Sequence, residues 1–156
     1  METRQLLNKF YDSFAHGDAH GMIECYAPQI VFEDPVFGQL HGKRAECMWQ
    51  MLLENKKRKP QISYRVLIYG ADTAQVAWTA TYFYGKSDRK VVNQVLASFD
   101  FKDGLIVHHR DNFNLWNWSR QALGISGFLI GWTNIMERKI QNKTRALLDT
   151  YIENSL

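Results

Sequence analysis

Three side chains in this sequence have the type and placing for proton chemistry: Asp34, His109 and Asp111. Asp34 lies in Glu33-Asp34-Pro35-Val36-Phe37-Gly38, where the ring of Pro35 crowds its predecessor out of helical angles into extended backbone. Side chains alternate along extended chain, so an inward Phe32 brings Asp34 inward with it. A carboxylate carried in beside Phe32, Val36 and Phe37 is costly to ionise, and its pKa rises unless a partner compensates. Such a group serves as a proton acceptor near neutral pH. The bland alternative is a local Asx-Pro turn, in which the aspartate bonds only its own backbone. His109 and Asp111 stand at i and i+2 of a segment whose other members, Val107 and Phe113, are apolar. Both therefore point inward, as an acid/base pair with Asp34 or as a wall histidine bonded to Asp111.

These residues need a scaffold, and the hydrophobic pattern supplies one. Leu6, Leu7, Phe10, Tyr11 and Phe14 repeat at helical spacing, followed by a short helix capped by Asp18 with Met22, Ile23 and Tyr26 on its apolar side. A strand is expected over 29–34, a turn at Gly38, and a third helix over 43–54 facing inward with Ala45, Met48, Trp49 and Leu52. After Pro60 the period becomes two. Ile62, Tyr64, Val66 and Ile68 alternate, then Val76, Trp78, Ala80, Tyr82 and Tyr84, then Val91, Asn93, Val95, Ala97, Phe99 and Phe101. Lys102-Asp103-Gly104 signals a hairpin into a last strand expected over 105–115, with Val107, His109, Asp111, Phe113 and Leu115 inward. Thr133 or Asn134 caps a final helix with a stripe of Met136, Ile140, Leu147, Tyr151 and Ile152. Helices followed by a meander of strands define an α+β fold, an antiparallel sheet wrapped over the N-terminal helices.

Composition narrows the function classes. A chain of 156 residues with 46% hydrophobic and 13% aromatic residues builds one packed core. The net charge is +3, and Lys56-Lys57-Arg58-Lys59 reads as a solvated helix end running into a loop, so no nucleic-acid partner is expected. Cys25 and Cys47, with no secretory leader, suit reduced thiols in a cytoplasmic protein. No apolar run reaches the ~20 residues of a membrane span, and Gly127-Phe128-Leu129-Ile130-Gly131-Trp132 is too short. His16 and His20 have i, i+4 spacing without a third ligand, and no phosphate-binding glycine loop is present, so neither metal nor cofactor is expected.

The order Phe10-Tyr11-Asp12, Ala15-His16-Gly17-Asp18, Cys25-Tyr26-Ala27-Pro28, Val31 to Gly38 and Phe99-Asp100-Phe101-Lys102-Asp103-Gly104 resembles the SnoaL-like and ketosteroid isomerase-like branch of the nuclear-transport-factor-2-like superfamily. The resemblance implies a cone of curved antiparallel sheet closed by helices, an apolar pocket and a homodimer through the sheet. It places a SnoaL-like domain over 1–123 and a helical extension over 124–156 that packs on it, either covering the pocket mouth, extending the dimer or docking elsewhere. Asp34 matches the proton-moving aspartate of ketosteroid isomerases, whose oxyanion hole is a tyrosine and a protonated aspartate. Those two positions align with Phe10 and Ala97, neither of which can donate a hydrogen bond, so a steroid isomerase is not expected.

Arg110-Asp111-Asn112-Phe113-Asn114 is similar to the last strand of limonene epoxide hydrolase-like proteins, with Asp111 at the water-activating position. The Arg-x-Asp partner is missing, since Ala77-Trp78-Thr79-Ala80 stands there. Polyketide cyclases of the SnoaL type, which use one aspartate in an apolar cavity, are a further relative. The resemblance thus implies a cofactor-independent isomerase, cyclase or hydrolase acting on a small hydrophobic molecule through Asp34, His109 and Asp111. Phe10, Phe14, Phe32, Trp49, Trp78, Tyr82, Asn93, Ala97 and Phe113 are the expected ligand wall. The alternative is a non-catalytic ligand-binding or protein-interaction module of the same fold.

Overall fold

A computed structural model describes residues 2–125 and 134–156. Helices α1 (Thr3–Ala15), α2 (Ala19–Ile23) and α3 (Lys43–Leu52) pack with six strands, β1 (Tyr26–Asp34), β2 (Gly38–His41), β3 (Gln61–Tyr69), β4 (Thr73–Tyr84), β5 (Arg89–Lys102) and β6 (Leu105–Asn112). Among the described residues, two further helices follow, α4 (Leu115–Leu123) and α5 (Asn134–Asn154). The strands form one sheet in the order β2-β1-β6-β5-β4-β3, antiparallel throughout except for the parallel pair β1 and β6. The chain is an α+β fold with its sheet against the N-terminal helices.

The main core joins α1, α3 and the inward sheet face through Leu7, Phe10, Tyr11, Met22, Ile30, Phe32, Met48 and Phe99, each at most 1% exposed. A second cluster gathers Val91, Trp118, Ala122, Met136 and Ile140, and Val36, Tyr82 and Phe113 touch both clusters. Helices α4 and α5 thus lie against the end of the sheet where Asp34 sits.

Local signals account for the joins. The Asp18 carboxylate accepts from the Gly21 N–H and starts α2. Asp103 and Gly104 both take positive φ, 53° and 78°, the primed turn that suits the twist of a hairpin.

Several expected faces are corrected. A shift in register between Asp100 and Phe101 pairs Phe101 with Ile106, so Ile106 is fully buried and Val107 only partly. A comparable shift between Val66 and Ile68 turns Ile68 out to 63% exposure. Bulges of this kind change which parity faces the core, and period-two reading does not see them. Leu52 is exposed and Leu53 is buried in its place. The last strand ends at Asn112, and Leu115 begins α4 under the cap of Asn114, whose side chain accepts from the Asn117 N–H. On α5 the inward residue is Leu148, at 0% exposure, and Leu147 faces out at 56%. The apolar segment 127–132 and the candidate cap Thr133 lie outside the described residues.

Leu148 joins α5 to the main core, so Leu148→Ala should lower unfolding free energy by about 2–4 kcal/mol, whereas Leu147→Ala should change it by less than about 0.5 kcal/mol. Urea titration of the two variants checks this, and equal effects would place the helix in a different rotation.

Candidate active site at the ends of the paired strands β1 and β6

Parallel pairing of β1 with β6 sets Phe32 beside His109 and ends with Glu33 beside Arg110. The next inward position on each strand is a carboxylate, Asp34 and Asp111. Beyond this point Asp34 pairs with Gly38 of β2 and Asp111 with Ala97 of β5, so the two strands serve different neighbours. Both aspartates line a recess of about 310 Å³, rimmed by Glu33, Arg110, Glu137 and Gln141.

Asp34 forms the local turn its sequence allowed. Its Oδ1 accepts from the backbone N–H of Val36 at 2.9 Å and of Phe37 at 2.6 Å, the geometry of an Asx turn. The residue is also half-buried, and it lines the recess. Burial pushes its pKa up to about 7, with the Asp111 charge adding to the rise and the Phe37 and Val36 N–H groups opposing it.

Asp111, at 3% exposure, belongs to a buried polar chain. The Trp49 indole N–H donates to the Tyr26 hydroxyl at 2.9 Å, and Tyr26 meets His109 Nδ1 at 2.8 Å. His109 Nε2 meets Asp111 Oδ1 at 2.9 Å, and the Trp78 indole N–H donates to the same oxygen at 3.2 Å. An indole only donates, so Tyr26 turns its proton to Nδ1 and His109 keeps its own on Nε2 for Asp111. Every donor in the chain then has an acceptor, which is what lets so polar a group stand in a greasy core. Burial raises the Tyr26 pKa well above the usual phenol value.

The expected ligand wall divides in two. Phe10, Phe14, Phe32, Trp49 and Ala97 lie in closed packing at no more than 5% exposure. Rings of Phe10, Phe32, Trp49 and Phe99 surround His109 at centroid distances of 4.3–6.3 Å. Phe10 and Ala97 are both interior, and neither carries a donor. Trp78 and Asn93 are buried at 8% and 9% exposure, Tyr82 and Phe113 are partly buried, and none of the four is among the described residues that line the recess. The Tyr82 hydroxyl accepts from the Trp118 indole at 2.6 Å, and its pKa is pushed up to about 12 by burial, with Asp34 contributing.

Neighbouring strand residues face away, as alternation requires. His108 lies 3.4 Å from Asp100 on the outer face, and Arg110 pairs with Glu33 there. Among the described residues, no group of three or more His, Cys, Asp and Glu side chains could hold a metal ion, and no helix is long and apolar enough to cross a membrane.

Sequence reasoning missed Tyr26, which it placed on α2. The chain enters β1 at Tyr26, and a register irregularity between Tyr26 and Val31 brings that ring in. It also missed Gln141, Thr144 and Arg145, whose i, i+3, i+4 spacing ahead of the buried Leu148 marks an inward polar stripe.

A family model for the SnoaL-like domain matches residues 7–109, and the chain belongs to that family. Its fold is that of the nuclear-transport-factor-2-like superfamily. Similar solved structures include a candidate polyketide cyclase from Pseudomonas putida (16% identity, 78% of this chain and 98% of that one, TM-score 0.66). A candidate isomerase from Bacillus subtilis shares 21% identity over 78% of this chain and 91% of its own, with a TM-score of 0.61. An LEH-like epoxide hydrolase from M. tuberculosis shares 16% identity over 80% and 92%, with a TM-score of 0.60. At these identities the likeness is one of fold. No curated protein matches the chain by sequence.

A carboxyl whose folded pKa is raised binds its proton more tightly when folded. Asp34 therefore contributes stability fully present below its unfolded value near 4, and that contribution is lost as pH rises through about 7. Asp34→Asn keeps an acceptor for the turn, so it should be more stable than wild type at pH 8 by roughly 1–4 kcal/mol, the lower end reflecting the open recess side. The gap should close below about pH 4. Thermal melts across that range check it, and a constant gap would contradict the raised pKa.

Proposed function

We propose that this protein is a cofactor-independent catalyst of isomerase, cyclase or hydrolase type acting on a small hydrophobic molecule, with Asp34 as proton acceptor. The observation that carries the reading is the pair of inward carboxylates, Asp34 and Asp111, on one recess with Asp34 near pKa 7. Two carboxyls whose environments differ divide acid and base roles between them. Asp34 takes a proton from an activated C–H, the bonding electrons move toward the substrate's oxygen, and protonated Asp34 returns the proton at a new position. His109 holds Asp111 in place, and Asp111 keeps the Asp34 proton affinity high. We assign donation to the developing oxyanion to the O–H of Tyr82, whose oxygen accepts from Trp118 and which interacts electrostatically with Asp34. It stands in for the donors that Phe10 and Ala97 lack.

The closed ring packing around His109 favours a second reading, a non-catalytic module of the same fold. In either case we assign homodimer formation to the outward sheet face, where Phe83, Val92 and Leu96 are exposed.

The substrate-independent probe is 5-nitrobenzisoxazole. A base removes its C3 proton, the ring N–O bond breaks, and a coloured phenolate is released. The rate should rise with pH through about 7 and level off, because the carboxylate is the active form. Asp34→Asn should lower it by about 10²–10⁴-fold and Tyr82→Phe by about 10-fold or more. A wild-type rate no greater than that of Asp34→Asn would overturn the catalytic reading and favour the silent module.

A further inference from the structure

The backbone of the Asp34 turn is shared between two owners. Its N–H groups at Val36 and Phe37 go to the Asp34 carboxylate. Its carbonyls go to α5: Gln141 Nε2 donates to Pro35 O at 3.2 Å, Thr144 Oγ1 to Val36 O at 2.8 Å, and Arg145 Nε to Phe37 O at 2.8 Å. Arg145 Nη2 reaches on to Gln39 O at 3.2 Å. A three-residue turn with every carbonyl capped by one helix is an unusual use of side-chain donors, most of which on a surface helix face water. Gly38 makes the approach possible. It takes φ +70°, and a Cβ there would stand 2.6 Å from Arg145 Nη2 and 3.0 Å from Gln141 Oε1.

The helix is held at both ends of this contact. Leu148 is buried in the main core, Met136 and Ile140 in the second cluster, and Arg44 of α3 pairs with Asp149 at 2.6 Å. The donors at 141, 144 and 145 lie between those anchors.

From this geometry we infer that Thr144 and Arg145 of α5 are positioning residues for the Asp34 carboxyl, holding its turn closed so that the carboxyl stays on the recess beside Asp111. The inference rests on the reading of Asp34 as the proton acceptor. It makes the C-terminal helix part of the site, although the family match stops at residue 109. The charged and titratable groups that face Asp34 are Asp111 from β6, Tyr82 from β4, and Glu137 and Arg145 from α5, with Glu33 and Arg110 on the rim.

The test is the carbon-13 titration of the Asp34 carboxyl in the full chain, with the amide proton shifts of Val36 and Phe37 read from the same samples. Thr144→Val removes the bond to Val36 O, together with the hydroxyl's contact to Gln141 O within the helix, with little change of shape, and Thr144→Val with Arg145→Leu removes all three bonds to Val36 O, Phe37 O and Gln39 O. Lys143→Ala, on the exposed side of the helix, is the control, and the amide spectrum of β3 to β5 reports folding. Opening the turn admits water, and burial is the largest cause of the raised pKa, so its loss outweighs the loosened N–H bonds. The double variant should lower the midpoint by about one unit or more and move both amide protons upfield, with Thr144→Val intermediate and the control unchanged. A midpoint and amide shifts like wild type in a folded double or single variant would overturn the inference. A wild-type midpoint near the ordinary value of about 4 would instead remove Asp34 as the acceptor, and the amide shifts alone would then decide whether the clamp holds the turn.

Discussion

An inward carboxyl at a strand end stays there only if its turn, its neighbours and the helix behind them agree. Asp34 accepts two N–H bonds from the residues that follow it, which would favour the carboxylate, while burial and the Asp111 charge favour the acid. Burial is the larger influence, so the group is balanced near neutral pH rather than at the usual carboxylate value. That balance depends on water being kept off one side of the turn. Pro35 directs Asp34 into extended backbone, Gly38 permits the positive φ that closes the turn, and α5 seals its carbonyls.

The second carboxylate is held by different means. Asp111 is tied through Oδ1 to His109 and Trp78, and His109 through Tyr26 to Trp49, so its position is set by the same aromatic packing that closes the core. Truncating any member would leave a buried polar partner unpaired, a cost of about 1–3 kcal/mol each. The chain therefore serves packing and chemistry together. It fixes one carboxylate so that the other is tuned by a charge in a known place.

Much of this was legible in the residues. The Asp34-Pro35 step, the i, i+2 pair at His109 and Asp111, and the opposite facing of His108 and His109 all follow from local sterics and alternation. The α+β class was read from the order of helices and strands, and the SnoaL-like family from the resemblance of its motifs, which the family match bears out. What was not legible depends on register and on tertiary partners. The bulges at Asp100 and Val66 moved Ile106 inward and Ile68 outward. Tyr26 could not be placed in the polar chain without knowing that β1 starts there, parallel to β6. On α5 the stripe of Met136, Ile140, Tyr151 and Ile152 does face inward, but Leu147 was taken for the equally apolar Leu148, and the polar donors that reach the Asp34 turn were not seen. The pocket walls at Phe10, Phe14, Phe32 and Trp49 were argued from likeness, and side-chain volume decides how far such a cone fills.

The account depends most on one proton staying on one half-buried carboxyl near neutral pH. Infrared difference spectroscopy between about pH 6 and pH 8, on wild type and Asp34→Asn, reads that proton directly. The account predicts a protonated-carboxyl band at the lower pH that disappears at the higher one and is missing from the variant. A spectrum with no such band, or a band that survives the substitution, would contradict it.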